Sequence, residues 1–237
     1  MDAYISIDQG TTSSRAILFG EDGTILNSFQ EEFKQIYPKP GWVEHDPEEI
    51  WETTKSVLSD LYNSEIAKKN NIRGIGITNQ RETTIVWDKK TGKPLYNAIV
   101  WQDRRTSDFC KKLVENGLEK KVINKSGLVI DPYFSASKIK WILDNIPDAR
   151  QKANKNEIFF GTVDSFLLWR LTDKKVHATD ATNASRTSLY NIEKLEWDDE
   201  LLSIFDVPKS MMPKVMDSNS DFGKVSKNVM NFELPIL

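Results

Sequence analysis

The sequence predicts an α/β domain built on a mixed β-sheet flanked by helices. Three observations predict it: three β-rich apolar segments open the chain, a long amphipathic helix follows them, and helices then alternate with short strands. No internal repeat, low-complexity tract or long charge run divides the chain.

Tyr4 to Ile7 reads as a strand, Gly10-Thr11-Thr12-Ser13-Ser14 as turn chemistry, and Arg15 to Phe19 as a returning strand. A third strand over Thr24 to Phe33 follows the Asp22-Gly23 turn signal. Prolines and glycine make Tyr37 to Gly41 a loop. Asp46 is placed to cap the next helix, with Pro47 at its first position and Glu49 completing a capping-box-like arrangement. Ile50, Thr54, Val57, Leu58 and Leu61 keep helical spacing, which predicts a helix to about Ala67. Ile72 to Thr78 reads as a buried strand, and Thr83 to Trp87 and Ala98 to Trp101 as short ones. From Arg104 the pattern is helical, with breaks at Gly117 and Ser126-Gly127 and a loop through Asp131-Pro132-Tyr133. Ser135 is placed to cap a helix that carries Ile139, Ile142 and Leu143 and ends near Pro147. A strand over Ile158 to Phe160, a helix over Val163 to Leu171, a strand over Thr187 to Ile192 and a helix over Asp198 to Phe205 complete the prediction.

Composition narrows the function classes. Hydrophobic content of 39% is enough for a buried core in a chain of 237 residues. A formal charge of -3 gives no general field for polyanions, so nucleic acid is not a favoured partner and any phosphate recognition must be local. No apolar run approaches the roughly 20 residues that span a bilayer, so no membrane association is expected. The start of the chain lacks the pattern of a signal peptide. The expected localisation is cytoplasmic. Cys110 is the only cysteine, and only His45 and His177 accompany it, which excludes a disulfide framework and disfavours a structural zinc site.

The octet Asp8-Gln9-Gly10-Thr11-Thr12-Ser13-Ser14-Arg15 carries the first chemical signal. A glycine lets backbone amides approach a phosphate, the hydroxyls of Thr11, Thr12 and Ser13 add donors, and Arg15 adds a fixed charge. Asp8, at the end of an apolar strand, offers an oxygen ligand for a hydrated Mg²⁺ that bridges the phosphates. The lack of a lysine and of a following helix excludes a Walker A loop. On its own the octet reads first as a hairpin with a Thr/Ser-rich turn, in which Asp8 bonds nearby amides, and context has to decide.

Arg81 and Glu82 follow the Ile- and Gly-rich strand, at the carboxyl end where open α/β sheets hold ligands. Vicinal hydroxyls need donors and acceptors in fixed geometry, and a guanidinium beside a carboxylate supplies both. Trp101 is suited to lie against a carbon skeleton, and Tyr133 to add a hydroxyl from the far wall. Alone, the charged pair reads first as a solvated strand end contributing about 0 to 1 kcal/mol. Each aromatic reads as core packing. Trp42, Trp51, Trp87, Trp141, Trp169 and Trp197 keep the packing reading, His45 a local structural one, and His177 has no visible partner.

The octet resembles the first phosphate motif of kinases that share the actin and hexokinase ATPase fold. Further blocks narrow the resemblance to the FGGY carbohydrate kinase family, and within it to the glycerol kinases. They are Tyr37-Pro38-Lys39-Pro40-Gly41-Trp42-Val43-Glu44-His45-Asp46-Pro47, Gly76-Ile77-Thr78-Asn79-Gln80-Arg81-Glu82-Thr83-Thr84, and Asp131-Pro132-Tyr133-Phe134-Ser135. Tyr133, Ser135, Lys138, Ile139, Trp141 and Ile142 also fit the family signature, and the match runs almost the full length.

The resemblance implies a ribonuclease H-like domain, with residues 1–237 forming the family's N-terminal, substrate-binding domain and a C-terminal nucleotide domain absent from this chain. It implies ATP and Mg²⁺ as cofactors, glycerol and ATP as partners, and transfer of the γ-phosphate to give sn-glycerol 3-phosphate. It assigns Arg81, Glu82, Trp101 and Tyr133 to glycerol binding, with phosphate contacts from Thr11, Thr12, Ser13 and Arg15 and the metal at Asp8. No catalytic residue is expected in this chain, because the family's base is an aspartate in a Gly-Asp-Gln-Gln segment expected beyond Leu237. The chain alone is therefore expected to be inactive and to bind ATP weakly. A homo-oligomer in the intact enzyme is compatible with the resemblance. A kinase for xylulose or gluconate, or a non-catalytic ATP-binding domain of the same fold, are the alternatives. Arg81, Glu82 and Trp101 weigh against a larger sugar, and the presence of Asp8, Arg81 and Glu82 against a degenerate site.

Overall fold

A computed structural model describes residues 1–237. The chain opens as an antiparallel meander of β1 (Asp2–Gln9), β2 (Ser13–Gly20) and β3 (Ile25–Glu32). The register sets Asp8 opposite Arg15 across the first turn. A two-residue β4 (Glu44–His45) leads into α1 (Pro47–Asn63). Asp46 caps α1 as predicted, its carboxylate accepting from the Glu48 amide at 2.8 Å. The capping box does not form, because the Glu49 carboxylate instead accepts from the Lys34 amide at 3.1 Å. Ile50, Val57, Leu58 and Leu61 are buried on one side of α1. Each contributes about 1.5–3 kcal/mol by burial, against about 1 kcal/mol for the cap, so packing rather than the local signal holds this helix. The helix stops at Asn63 instead of running to Ala67. Ser64 turns its hydroxyl to the Ala67 amide at 3.2 Å and starts a separate turn, α2 (Glu65–Lys68), which is the competition a serine side chain offers to a continuing helix.

β5 (Asn71–Asn79) pairs parallel with β1, so the main sheet has the order β3-β2-β1-β5 and is mixed as predicted. Ile236 extends it by a parallel bridge to Ile75. Ile5 and Ile7 of β1, Ala16 and Leu18 of β2, and Ile75 of β5 share one core with α1. Alternate residues Tyr4, Ser6, Asp8, Arg15, Ile17, Phe19 and Thr78 point to the opposite face and stay half-buried or exposed.

The later segments divide between two cores: Val163 to Leu171, Ala178 and Phe222 to Ile236 join the first, whereas Cys110 to Ala153 and Ala184 to Met211 pack around a second. β6 (Ile85–Asp88) and β7 (Ala98–Ile99) are shorter than the predicted strands, and Trp101 lies in the turn past β7. α3 (Ser107–Glu115) and α4 (Glu119–Ser126) end where predicted, at Gly117 and Gly127, whose φ of 74° and 73° a side chain would resist. α5 (Ser135–Asn145) starts at Ser135, so this residue is not the cap. Its hydroxyl donates to the Glu82 carbonyl at 3.0 Å, a bond that ties α5 to the end of the β5 segment. α6 (Ala149–Asn154) was not predicted; β8 (Ile158–Gly161) pairs antiparallel with β6, and α7 (Val163–Leu171) follows. β9 (Ala178–Asp180) and α8 (Ala181–Ala184) precede β10 (Tyr190–Asn191) and β11 (Glu196–Trp197). The predicted strand at residues 187–192 thus shrinks to a two-residue hairpin rung. α9 (Asp199–Ile204), β12 (Lys214–Met216), which pairs parallel with β9, and α10 (Lys227–Met230) complete the chain. No helix is long and apolar enough to cross a membrane.

His177 does have partners, contrary to expectation. Its Nε2 contacts the Phe160 carbonyl at 2.8 Å, and its ring lies 3.7 Å from that of Phe159 and 5.5 Å from that of Trp87. Burial, partly countered by the Phe160 contact, lowers its pKa to about 4.

Candidate functional site

The ends of β1 and β5 lie side by side because the two strands are parallel, and the segments that leave them form one cleft. Arg81, Glu82, Trp101 and Tyr133, distant in sequence, all line it together with Thr11, Asn79, Gln80 and Arg186. The cleft has a volume of about 310 Å³ and opens to solvent. The structure therefore brings together every residue expected to hold a polyol.

Each wall is fixed by the chain around it. Glu82 sits in the left-handed region at φ 62°, within a three-residue turn closed by the Thr83 amide donating to the Arg81 carbonyl at 2.7 Å. A non-glycine residue held there costs on the order of 1 kcal/mol or more. The turn persists because the Glu82 carbonyl accepts from Ser135 Oγ at 3.0 Å and Thr84 Oγ1 at 3.1 Å. The Glu82 side chain is only 4% exposed, and its Oε1 accepts from Arg186 Nε at 2.7 Å. No donor of the chain reaches Oε2. The Arg81 side chain is exposed and makes no hydrogen bond, leaving its guanidinium available to a ligand.

Tyr133 is held by an unexpected clamp. Lys138 is fully buried, and its Nζ donates to the carbonyls of Pro132, Tyr133 and Phe134, the last two at 2.7 and 3.2 Å. Burial lowers its pKa to about 7, against the opposing pull of Asp103, Cys110, Glu82 and Asp131. Asp131 Oδ1 accepts from the Tyr133 amide at 2.8 Å and from Arg104 at 2.8 Å, closing the loop from the other side. The Tyr133 ring stands 5.4 Å from that of Trp101 at 57°.

A buried ionic cluster anchors the turn that carries Trp101. The guanidinium of Arg105, wholly buried, reaches Asp103 at 2.8 Å and Glu44 at 2.7 Å and lies 3.8 Å from the Trp42 ring and 4.6 Å from the Trp141 ring. Trp42 and Trp141 are thus more than packing: they enclose the charge that anchors the turn after β7.

The phosphate-loop residues fare unevenly. The backbone amides of Thr11 and Thr12 donate to nothing within the chain and stand at the turn. They are the free donors a phosphate cradle requires. The Thr12 hydroxyl is also free, whereas the Thr11 hydroxyl accepts from Trp101 Nε1 at 3.1 Å. Ser13 Oγ accepts from Gln30 at 3.0 Å, and Arg15 Nε donates to the same glutamine at 3.0 Å, drawing both toward β3. Asp8 has a carboxylate with no hydrogen bond from the chain, so the reading in which it merely bonds nearby amides does not hold. No group of three or more His, Cys, Asp or Glu residues could hold a metal. The single free carboxylate of Asp8 is the kind of oxygen ligand that suits Mg²⁺, which binds through few protein groups and keeps most of its waters.

Beneath the loop runs a buried polar network. Gln80 Nε2 donates to Gln9 Oε1 at 3.1 Å and to the Gly10 carbonyl at 3.0 Å, and lies 3.3 Å from His45 Nδ1. His45 Nε2 meets Gln35 Oε1 at 2.7 Å, and Gln35 Nε2 donates to the Thr11 carbonyl at 3.0 Å. Burial lowers the His45 pKa to about 4, so the ring is neutral and structural, as its position ahead of the α1 cap suggested. Arg186, the Lys138 clamp and this network escaped the sequence reading. Only Lys138 carried a signal, as a signature position.

Comparison with known proteins places the chain in a family. The family model described as "FGGY family of carbohydrate kinases, N-terminal domain" matches residues 3–233. The chain is 55% identical over 237 residues to the glycerol kinase of Petrotoga mobilis, covering 100% of this chain and 48% of that protein. It is 56% identical over 237 residues to the glycerol kinase of Borreliella afzelii, covering 100% of this chain and 47% of that protein. Among solved structures it is similar to Plasmodium falciparum glycerol kinase with ADP, at a TM-score of 0.93 and 35% identity over 100% of this chain and 48% of that one. Gluconate kinase from Lactobacillus acidophilus shares the fold at a TM-score of 0.85 and 22% identity, covering 99% of this chain and 47% of that one. These neighbours have the actin/hexokinase-like ATPase fold. The chain spans about half the length of the relatives it matches. Family model and fold agree, and the chain belongs to the FGGY family of carbohydrate kinases, matching their N-terminal domain.

Proposed function

We propose that this chain is the substrate-holding half of a glycerol kinase, which transfers the γ-phosphoryl group of ATP to glycerol and yields sn-glycerol 3-phosphate. The observation that carries the reading is the convergence of Arg81, Glu82, Trp101 and Tyr133 in one cleft that also contains Thr11 of the phosphate loop. Arg81 donates to polyol oxygens and Glu82 Oε2 accepts from a hydroxyl, so a vicinal diol is gripped by complementary partners. Trp101 and Tyr133 cover the carbon skeleton and exclude water. The free amides of Thr11 and Thr12, with Thr12 Oγ1, face the transferred phosphoryl group, Ser13 and Arg15 reach it only by leaving Gln30, and Trp101 Nε1 fixes the spacing between the two subsites. Mg²⁺ at Asp8 neutralises phosphate charge when bound.

The base that takes the hydroxyl proton and the adenine pocket are assigned to the half of the relatives' length that this chain does not span, and the chain by itself is expected to be inactive and to bind nucleotide weakly. Cytoplasmic localisation accords with these substrates. The test is ATP-dependent ADP formation by the full-length protein carrying this chain, assayed with glycerol, xylulose and gluconate. Turnover with glycerol is expected. Turnover confined to xylulose or gluconate would replace the substrate, and none with any polyol would leave a non-catalytic domain.

A further inference from the structure

We infer that Arg186 is a positioning residue that sets how Glu82 meets the polyol, an inference that rests on reading the cleft as a polyol site. Arg186 reaches the cleft from the segment after α8, more than a hundred residues along the chain from its partner (104 residues). Its Nε donates to Glu82 Oε1 at 2.7 Å. The same guanidinium stacks 5.0 Å from the Phe134 ring, which neighbours Tyr133. It is therefore held by an aromatic face and a carboxylate at once.

The arrangement divides the carboxylate into two unlike oxygens. Oε1 is committed to Arg186, and Oε2 accepts nothing from the chain although the Glu82 side chain is only 4% exposed. A carboxylate oxygen has capacity for more than one donor, so Oε2 is the acceptor left for substrate hydroxyls. Without the guanidinium, the side chain would lose the bond that fixes its rotation and would stand buried without its charge partner. The Glu82 backbone is pinned separately, through its carbonyl, by Ser135 and Thr84. Backbone and side chain thus have independent restraints, and Arg186 supplies the second. Its terminal nitrogens make no bond within the chain and its side chain is 34% exposed, so the residue stays in the cleft rather than in the core.

The experiment uses the full-length protein carrying this chain, with Arg81→Ala, Arg186→Gln, Arg186→Lys, Glu82→Gln and the Arg186→Gln/Glu82→Gln double variant. Arg186→Gln is expected to raise the KM for glycerol roughly 10- to 100-fold, with a smaller change in kcat and none in the KM for ATP. Arg186→Lys recovers part of the loss, because an ammonium restores the charge but not the fixed Nε direction. In the Glu82→Gln background, Arg186→Gln adds less than threefold, on the order of what uncoupled sites would not show. A merely structural role would instead raise both KM values together with a fall in melting temperature, and that result overturns the inference. So does an unchanged glycerol KM in folded Arg186→Gln; should that variant not fold, an unchanged KM in Arg186→Lys does the same. If the wild type turns over glycerol and Arg81→Ala impairs it while Arg186→Gln does not, this inference alone falls. If the wild type turns over no polyol, the site reading falls with it.

Discussion

At the residue scale the cleft separates groups that touch a ligand from groups that hold those groups still. Arg81 is exposed and its side chain has no partner in the chain, so its removal is expected to leave the fold intact and, on the proposed reading, to subtract only ligand contacts. Arg81→Ala is expected to raise the glycerol KM of the full-length enzyme roughly 10- to 100-fold with little change in melting temperature; an unchanged KM would take Arg81 out of the site. Lys138 belongs to the other class. Lys138→Met leaves the carbonyls of Pro132, Tyr133 and Phe134 without their shared donor, costing about 1–3 kcal/mol or more. It is expected to lower the urea midpoint and to loosen Tyr133, and a variant as stable as the wild type would refute the clamp. The pH sign follows from a native pKa lowered to about 7. The unfolded lysine binds its proton up to its ordinary value near 10.4, so this group makes stability rise as pH climbs from about 7 toward 10 and contributes a constant penalty below that window. Lys138→Met abolishes that rise, which denaturation curves at several pH values would show.

At the scale of elements, close contact behind one strand gives a sharper test than any cap. A Cβ added at Gly161, the last residue of β8, would lie 2.6 Å from the Ser165 side chain and 2.8 Å from the Trp87 ring. Neither has room, since Trp87 is wedged among Phe166, Trp169 and His177. Gly161→Ala should therefore cost about 1–3 kcal/mol through overpacking, measured as a lower urea midpoint with unchanged slope. The elements that could be read from sequence are those whose own pattern specifies them. β1, β2, β3 and β5 alternate or run apolar, and α1 repeats its buried face over several turns. β9 and β12 could not be read, because each has three residues and exists only through pairing with the other. α6 and α10 are single turns or little more, settled by what they pack against. The cleft shows the same division. Arg81, Glu82, Trp101 and Tyr133 sit in recognisable blocks, whereas Arg186 enters from a distant segment with no local sign of its partner. Ser135 looked like a cap because of its place before an apolar helix, and tertiary contact with Glu82 redirected its hydroxyl.

For the molecule as a whole, acid sensitivity is set by buried imidazoles. His45 and His177 each have a native pKa lowered to about 4 by burial. Their stabilising neutrality is fully present above about pH 6.5 and is lost as pH falls toward 4, on the order of 3 kcal/mol for each ring. Asp164 acts in the opposite direction over the lower part of that window, because burial raises its pKa to about 6 and its protonated form favours the native state as pH falls. The net expectation is a melting temperature that drops between pH 6.5 and 4.5, and drops less steeply in His177→Gln; equal slopes would show that His177 does not drive the loss. The whole molecule also preserves one local discomfort, the left-handed Glu82. Glycine or asparagine would relax that turn, yet either removes the carboxylate that faces the cleft. Stability and duty therefore select in opposite directions at a single codon. One side chain thus carries two opposed demands, a relaxed turn and a carboxylate held for the cleft by Arg186.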